Sequence, residues 1–126
     1  MTEPSASIGD VVAYASRDGA LTFGADTVTR PGEIVSGNFF TALGVPMAEG
    51  RGLAAGDDLR SAAPAVVISE SLWRERYGAG PLAGETLVLN NTAFTIIGVA
   101  EARFHGMFTG SRADFWVPLA QAQVIG

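Results

Sequence analysis

Residues 35–51 read VSGNFFTALGVPMAEGR, and this stretch organises the chain. Ser36 and Asn38 are candidate N-caps, because their side-chain oxygens can accept the free N–H groups of a helix start. Phe39, Phe40 and Leu43 fall at i, i+1 and i+4, and the i, i+4 spacing puts Phe39 and Leu43 on one face that can be buried. Gly44 is placed to end the turn in the left-handed conformation that costs glycine least. Pro46 prevents a restart. The segment therefore predicts a strand end, one helical turn and a stop. It holds no nucleophile beside a base and no cluster of metal ligands.

Working outward, Val11–Ser16 and Ala20–Gly24 read as short strands joined by an Arg17-Asp18-Gly19 turn, since Asp-Gly is a strong hairpin signal. A third strand is expected over Thr27–Val35, with Pro31-Gly32 marking a bulge or an edge position. Residues 1–9 carry Pro, Ser and Gly and are expected to form a mobile end. Glu49–Pro64 reads as a loop interrupted by Gly50, Gly52 and Gly56, in which Asp57-Asp58 could cap a short helix or pair with Arg51 or Arg60.

Ala65–Ile68 is short, apolar and β-branched, the mark of a buried strand. It runs into a helix over 69–77 with Ser69 as N-cap, Glu70 in the first turn, Arg74 and Arg76 near the end and Gly78 as the stop. Leu72, Trp73 and Tyr77 form its apolar face. On that reading Trp73→Ala costs about 3–5 kcal/mol. Gly84–Val99 reads as a hairpin about an Asn90-Asn91 turn, with Leu87, Leu89, Phe94 and Ile96 on one face. Glu101–Ala113 reads as an irregular loop. Asp114–Val117 is a last short strand, and Pro118 suits the first position of a terminal helix.

The chain has 126 residues, enough for one domain burying roughly two thirds of its unfolded surface. Hydrophobic residues make up 48% and charged residues 17%, which argues against disorder. The net charge is −5, and the eight basic residues are scattered arginines with no lysine, so no basic stripe offers itself to nucleic acid. There is no cysteine, hence no disulfide scaffold, thiolate nucleophile or cysteine zinc site. No apolar run approaches the ~20 residues that span a bilayer, and the N-terminus lacks the features of a secretory signal. The chain as given is expected to be soluble.

No catalytic, metal or cofactor-binding residue is assigned. His105 lacks a carboxylate at a diagnostic spacing and reads as a loop histidine. Ser69 and Ser71 lack the flanking glycines of a nucleophile elbow. Gly78–Gly84 fails the dinucleotide fingerprint, because its third glycine is late, Pro81 interrupts and a helix precedes it. The acidic residues show no calcium-loop pattern. Phe104, Met107 and Phe108 are the candidate partner contact: large apolar residues in an irregular loop either fold down onto the hairpin or form an exposed patch.

Four blocks, in order, carry a resemblance: VSGNFFTALGVPMAEGR (35–51), AVVISESLWRERYG (65–78), GETLVLNNTAFTIIGVA (84–100), and FHGMF with DFWVPLAQA (104–108, 114–122). Together they resemble the MacB-like periplasmic core domain of FtsX-like ABC-transporter permeases, from about Val35 to Ala122. Glu101-Ala-Arg103 departs from the pattern, where many relatives carry prolines. The resemblance implies an α+β fold, short helices on a mixed or antiparallel sheet, with a porter-like part and a small inserted αβ subdomain. It implies that residues 1–126 are one extracytoplasmic domain, a fragment of a longer membrane protein. It further implies a non-enzymatic role, transmitting ATP-driven motion or contacting cargo or an accessory protein. The implied partners are the parent transmembrane helices, a cytoplasmic ATPase and an extracytoplasmic adaptor. The rival readings are a free-standing binding module, holding a small ligand or peptide between the 65–77 unit and the hairpin, and a hydrolase with an unrecognised site.

Overall fold

The computed structural model describes residues 14–58, 63–82, 85–102, 104 and 113–121. Its elements are β1 (Tyr14–Phe23), β2 (Asp26–Val35), α1 (Phe39–Leu43), β3 (Met47–Gly50), β4 (Ala65–Ser69), α2 (Glu70–Tyr77), β5 (Thr86–Leu89), β6 (Thr92–Ala100) and β7 (Phe115–Pro118). Short 3-10 turns cover Ala55–Asp58 and Leu119–Gln121. The architecture is α+β, as expected.

All seven strands belong to one mixed sheet in the order β3-β6-β4-β7-β2-β1-β5, and β5 also pairs with β6. That last pairing brings the sheet back on itself. β2–β7 and β4–β6 are parallel, and the other pairs are antiparallel. Because side chains alternate along a strand, the sheet feeds two cores. Leu21, Ile34, Val66, Ile68, Phe115 and Val117 join the Leu87, Leu89, Phe94 and Ile96 face of the hairpin in an inner cluster, closed by Leu72 of α2. Val35, Val67, Ala100 and Trp116 face the other way, under Phe39 and Phe40 of α1. A sheet covered on both faces carries continuous apolar runs, which is why β4 and β7 are buried at every residue.

Two units follow the sequence closely. Asn90 and Asn91 take φ of 49° and 69° and close β5 onto β6 as a two-residue turn. The Ser69 hydroxyl accepts from the Leu72 N–H at 3.0 Å to cap α2, and Gly78 ends it at φ 60°.

Elsewhere tertiary packing overrides local signals. β1 runs unbroken through Arg17-Asp18-Gly19, and the hairpin turns instead at Gly24 and Ala25. Gly19 serves packing, since a Cβ there would lie 2.6 Å from Leu89 Cδ1 and 2.9 Å from Phe115 Cζ. Pro31-Gly32 marks no bulge, because β2 pairs with β1 in unbroken register; it sits where β2 passes from an edge bordered by β1 alone to the interior of the sheet. β7 joins β2 only from Gly32 onward, so Pro31 falls outside that ladder. In α1 the buried pair is Phe39 and Phe40, while Leu43 stays 40% exposed. Asn38 precedes α1 without a side-chain cap bond, its Oδ1 accepting instead from the Ser36 hydroxyl. Strand β3 occupies the start of the expected 49–64 loop. Pro118 ends β7 rather than opening a helix, and a 3-10 turn follows it. The fully buried tryptophan is Trp116, whereas Trp73 is only half-buried against the inner cluster.

Candidate functional site

The start of α2 gathers the polar side chains nearest to a site. The Ser69 hydroxyl donates to Asp114 Oδ1 at 2.9 Å, while its oxygen caps the helix. The other oxygen of Asp114 pairs with Arg30 at 3.2 Å, and Arg30 reaches Glu75 at 2.6 Å. Residues of β2, α2 and the approach to β7 are thus tied into one seam. The Arg30 hydrogen bond is the main reason that the Glu75 carboxyl sits below its ordinary range. Glu70 pairs with Arg74 one turn on and accepts from the Ala102 N–H. Ser69, Glu70, Ser71, Arg74, Phe104 and Asp114 line a depression of about 230 Å³.

This arrangement is a bracket rather than a reaction centre. A nucleophilic hydroxyl needs a base free to take its proton. Here the Ser69 hydroxyl donates to a carboxylate that is itself paired with Arg30, and the Ser69 oxygen accepts from the Leu72 N–H of the helix cap. Among the described residues no three His, Asp or Glu side chains are placed to hold a metal. The space between α2 and the β5–β6 hairpin, where a binding module would keep its ligand, is filled by Leu72, Leu87, Phe94 and Ile96.

A buried pair on the opposite face is the feature that sequence reasoning missed. Trp116 Nε1 donates to Glu33 Oε1 at 2.9 Å, with Glu33 only 2% exposed. Nothing local could join residues 83 apart, although a glutamate inside an apolar strand was itself a signal. Of the three expected contact residues, Phe104 is half-buried, its ring 5.4 Å from Trp116, 5.9 Å from Phe39 and 6.1 Å from Phe40. It packs on the outer cluster. Met107 and Phe108 lie outside the described residues, as does His105. A bidentate Arg51–Asp57 pair, at 2.8 and 3.2 Å, clamps the turn after β3. It realises one of the pairings expected for the 57–58 acidic residues.

Comparisons with known proteins agree with this architecture. The family model for the MacB-like periplasmic core domain matches residues 2–126. The macrolide export ATP-binding/permease protein MacB of Burkholderia thailandensis is 34% identical over 94 residues, covering 71% of this chain and 14% of that protein. The chain thus spans a small part of that relative. Among solved structures, the periplasmic region of MacB from Actinobacillus actinomycetemcomitans superposes with a TM-score of 0.69 at 22% identity, over 88% of this chain and 48% of that one. The extracellular domain of the noncanonic ABC-type transporter YknZ from Gram-positive bacteria gives 0.66 at 16%, over 89% and 55%. A domain of a putative permease from Porphyromonas gingivalis gives 0.58 at 20%, over 92% and 49%. These structures share the fold, and no described helix is long and apolar enough to cross a membrane. With the family model spanning nearly every residue, the chain belongs to the MacB-like periplasmic core domains.

Proposed function

We propose that this chain works as the extracytoplasmic domain of an ABC-transporter permease, without an active site of its own, passing ATP-driven motion to cargo or to an accessory protein. The observation that carries this reading is the family match over residues 2–126. The name of the curated relative, a macrolide export ATP-binding/permease protein, supplies the transporter context. The parent transmembrane helices and a cytoplasmic ATPase are the partners that the reading requires. The nucleotide chemistry belongs to the ATPase, since a Walker motif needs a lysine and this chain has none.

The geometry suits a body that moves as a unit. Tyr14 pairs with Val35, and Val35 with Pro118, so the start of β1 and the end of β7 lie two strands apart, roughly 10 Å. A displacement applied at that pole enters three adjacent strands of a sheet that closes on itself. Contact with cargo or an adaptor is assigned to the segment bearing Phe104, Met107 and Phe108, anchored where Phe104 packs on Trp116. Fractionation of cells expressing the whole parent gene tests the reading. The parent is expected in the membrane fraction, retained with an ATP-hydrolysing chain or domain. A parent in the soluble fraction, without associated ATP hydrolysis, contradicts it.

A further inference from the structure

The depression at the start of α2 has the size and lining of a small-ligand site. Its volume of about 230 Å³ falls below the roughly 300–1,000 Å³ of pockets for drug-sized ligands, so it has room for about one small ring. Phe104 supplies an aromatic wall. That ring is backed by Trp116 at 5.4 Å and by Phe39 and Phe40 at 5.9 and 6.1 Å, which hold it in place.

The polar lining is built from charges that are already matched. Glu70 pairs with Arg74, and Asp114 with Arg30. An incoming cation finds both carboxylates partnered, and an incoming anion meets two carboxylates. Capacity for hydrogen bonds nevertheless remains, since a carboxylate can accept about four. Asp114 receives two from described residues, one each from Ser69 and Arg30. Glu70 receives three, two from Arg74 and one from the Ala102 N–H. Arg74 bonds through Nε and Nη2, which leaves its Nη1 to donate. The exposed Ser71 hydroxyl has no partner among the described residues.

A ligand for this lining needs no net charge, several groups that both donate and accept, and an apolar face for the aromatic wall. A pyranose has all three. Its hydroxyls donate and accept, and its axial C–H bonds carry the slight positive charge that the face of an aromatic ring attracts. We propose that the depression binds one neutral pyranose ring, as a free sugar or as the end of a glycan, packed against Phe104 and hydrogen-bonded to Glu70, Ser71, Arg74 and Asp114. A small amide or alcohol would use the polar groups but bring no ring face to Phe104. The inference rests on this local geometry and not on the permease reading, so its failure leaves that reading standing.

Ligand-observed saturation-transfer NMR on the whole gene product, kept in a detergent without sugar headgroups, tests this. The probes are the methyl glycosides of glucose, galactose, mannose and N-acetylglucosamine, with glucuronate, glucosamine and the open-chain polyol mannitol for comparison. Ser71→Trp blocks the depression from an exposed helix position, outside both cores. Phe104→Leu removes the ring face and keeps an apolar side chain. At least one neutral glycoside is expected to receive saturation at its ring protons, with a dissociation constant in about the millimolar range. The signal should fall at least about fivefold in both variants, and the charged sugars and mannitol should bind at least about fivefold more weakly. Trisaccharides of the sugar that binds then separate the sources: binding as tight as the single ring's assigns a glycan end, weaker binding a free sugar, and both uphold the site. No transfer to any of the four glycosides overturns the inference. Transfer that persists in either variant overturns it too, since the sugar then sits elsewhere. Charged sugars or mannitol binding as tightly as the glycosides overturn the assignment to a neutral ring.

Discussion

Gly32 and Glu33 are neighbours on β2 whose side-chain directions face opposite cores, and a residue of β7 fixes each. A Cβ on Gly32 would lie 2.2–2.4 Å from three carbons of the Phe115 ring, which is fully buried. Gly32→Ala is therefore expected to cost about 1–3 kcal/mol through overpacking, read as a lower urea midpoint. An unchanged midpoint would show that the ring has room to shift. Glu33 accepts from Trp116 Nε1 inside the outer cluster, so Glu33→Leu leaves a buried N–H unpaired at about 1–3 kcal/mol, while Glu33→Gln keeps an acceptor and loses less. Equal losses in the two variants would mean that the acceptor oxygen is not what matters. Neither role was legible in the sequence. Pro31-Gly32 reads locally as punctuation, and only the position of Phe115 shows that the glycine makes space. Trp73 announced itself by its helical spacing, yet Trp116, in a four-residue strand with no periodicity, is the tryptophan that the core encloses.

At the scale of elements, the β5–β6 hairpin and α2 were legible because their determinants are local. A positive-φ Asn pair, a serine cap and a glycine stop act within a few residues of themselves. β1 misread for the converse reason: Arg17-Asp18-Gly19 resembles a turn, but its ten pairs with β2 outweigh that preference. Asn90 also has a role beyond its turn. Its side-chain Oδ1 accepts from the Ala20 N–H at 2.7 Å, and its own N–H donates to the Ala20 carbonyl at 2.8 Å, joining β5 to β1. Asn90→Gly keeps the positive φ but loses the side-chain bond, at about 1 kcal/mol, whereas Asn91→Gly is nearly neutral. Equal effects would argue that the turn alone matters. Ion pairs between elements set the acid response. Hydrogen bonds from Arg51 and Arg30 hold Asp57 and Glu75 below their ordinary 3.8 and 4.5. Both carboxylates therefore bind fewer protons folded than unfolded. The stability they contribute is present above about pH 4.5 and is lost as pH falls through their folded values. Urea midpoints between about pH 6 and 2.5 should decline less steeply for Asp57→Asn combined with Glu75→Gln than for the wild type. Parallel declines would assign acid sensitivity to other carboxylates.

For the whole molecule, the order of blocks identified the architecture before any long-range pairing could be drawn. The α+β class and the family were legible from stretches 5–17 residues long. The closed strand order was not, because β1–β5, β2–β7 and β4–β7 each join distant segments. The seam of Ser69, Asp114, Arg30 and Glu75 stayed hidden for the same reason, spanning residues 30 to 114. These features together describe a body braced on both faces of one closed sheet. The central claim is that this body is one extracytoplasmic part of a membrane permease. Its most direct test is the DNA sequence on either side of codons 1–126 in the source genome. One reading frame is expected to run through them, with apolar segments of about 20 residues encoded nearby. A frame that opens at Met1 and stops after Gly126 would contradict it.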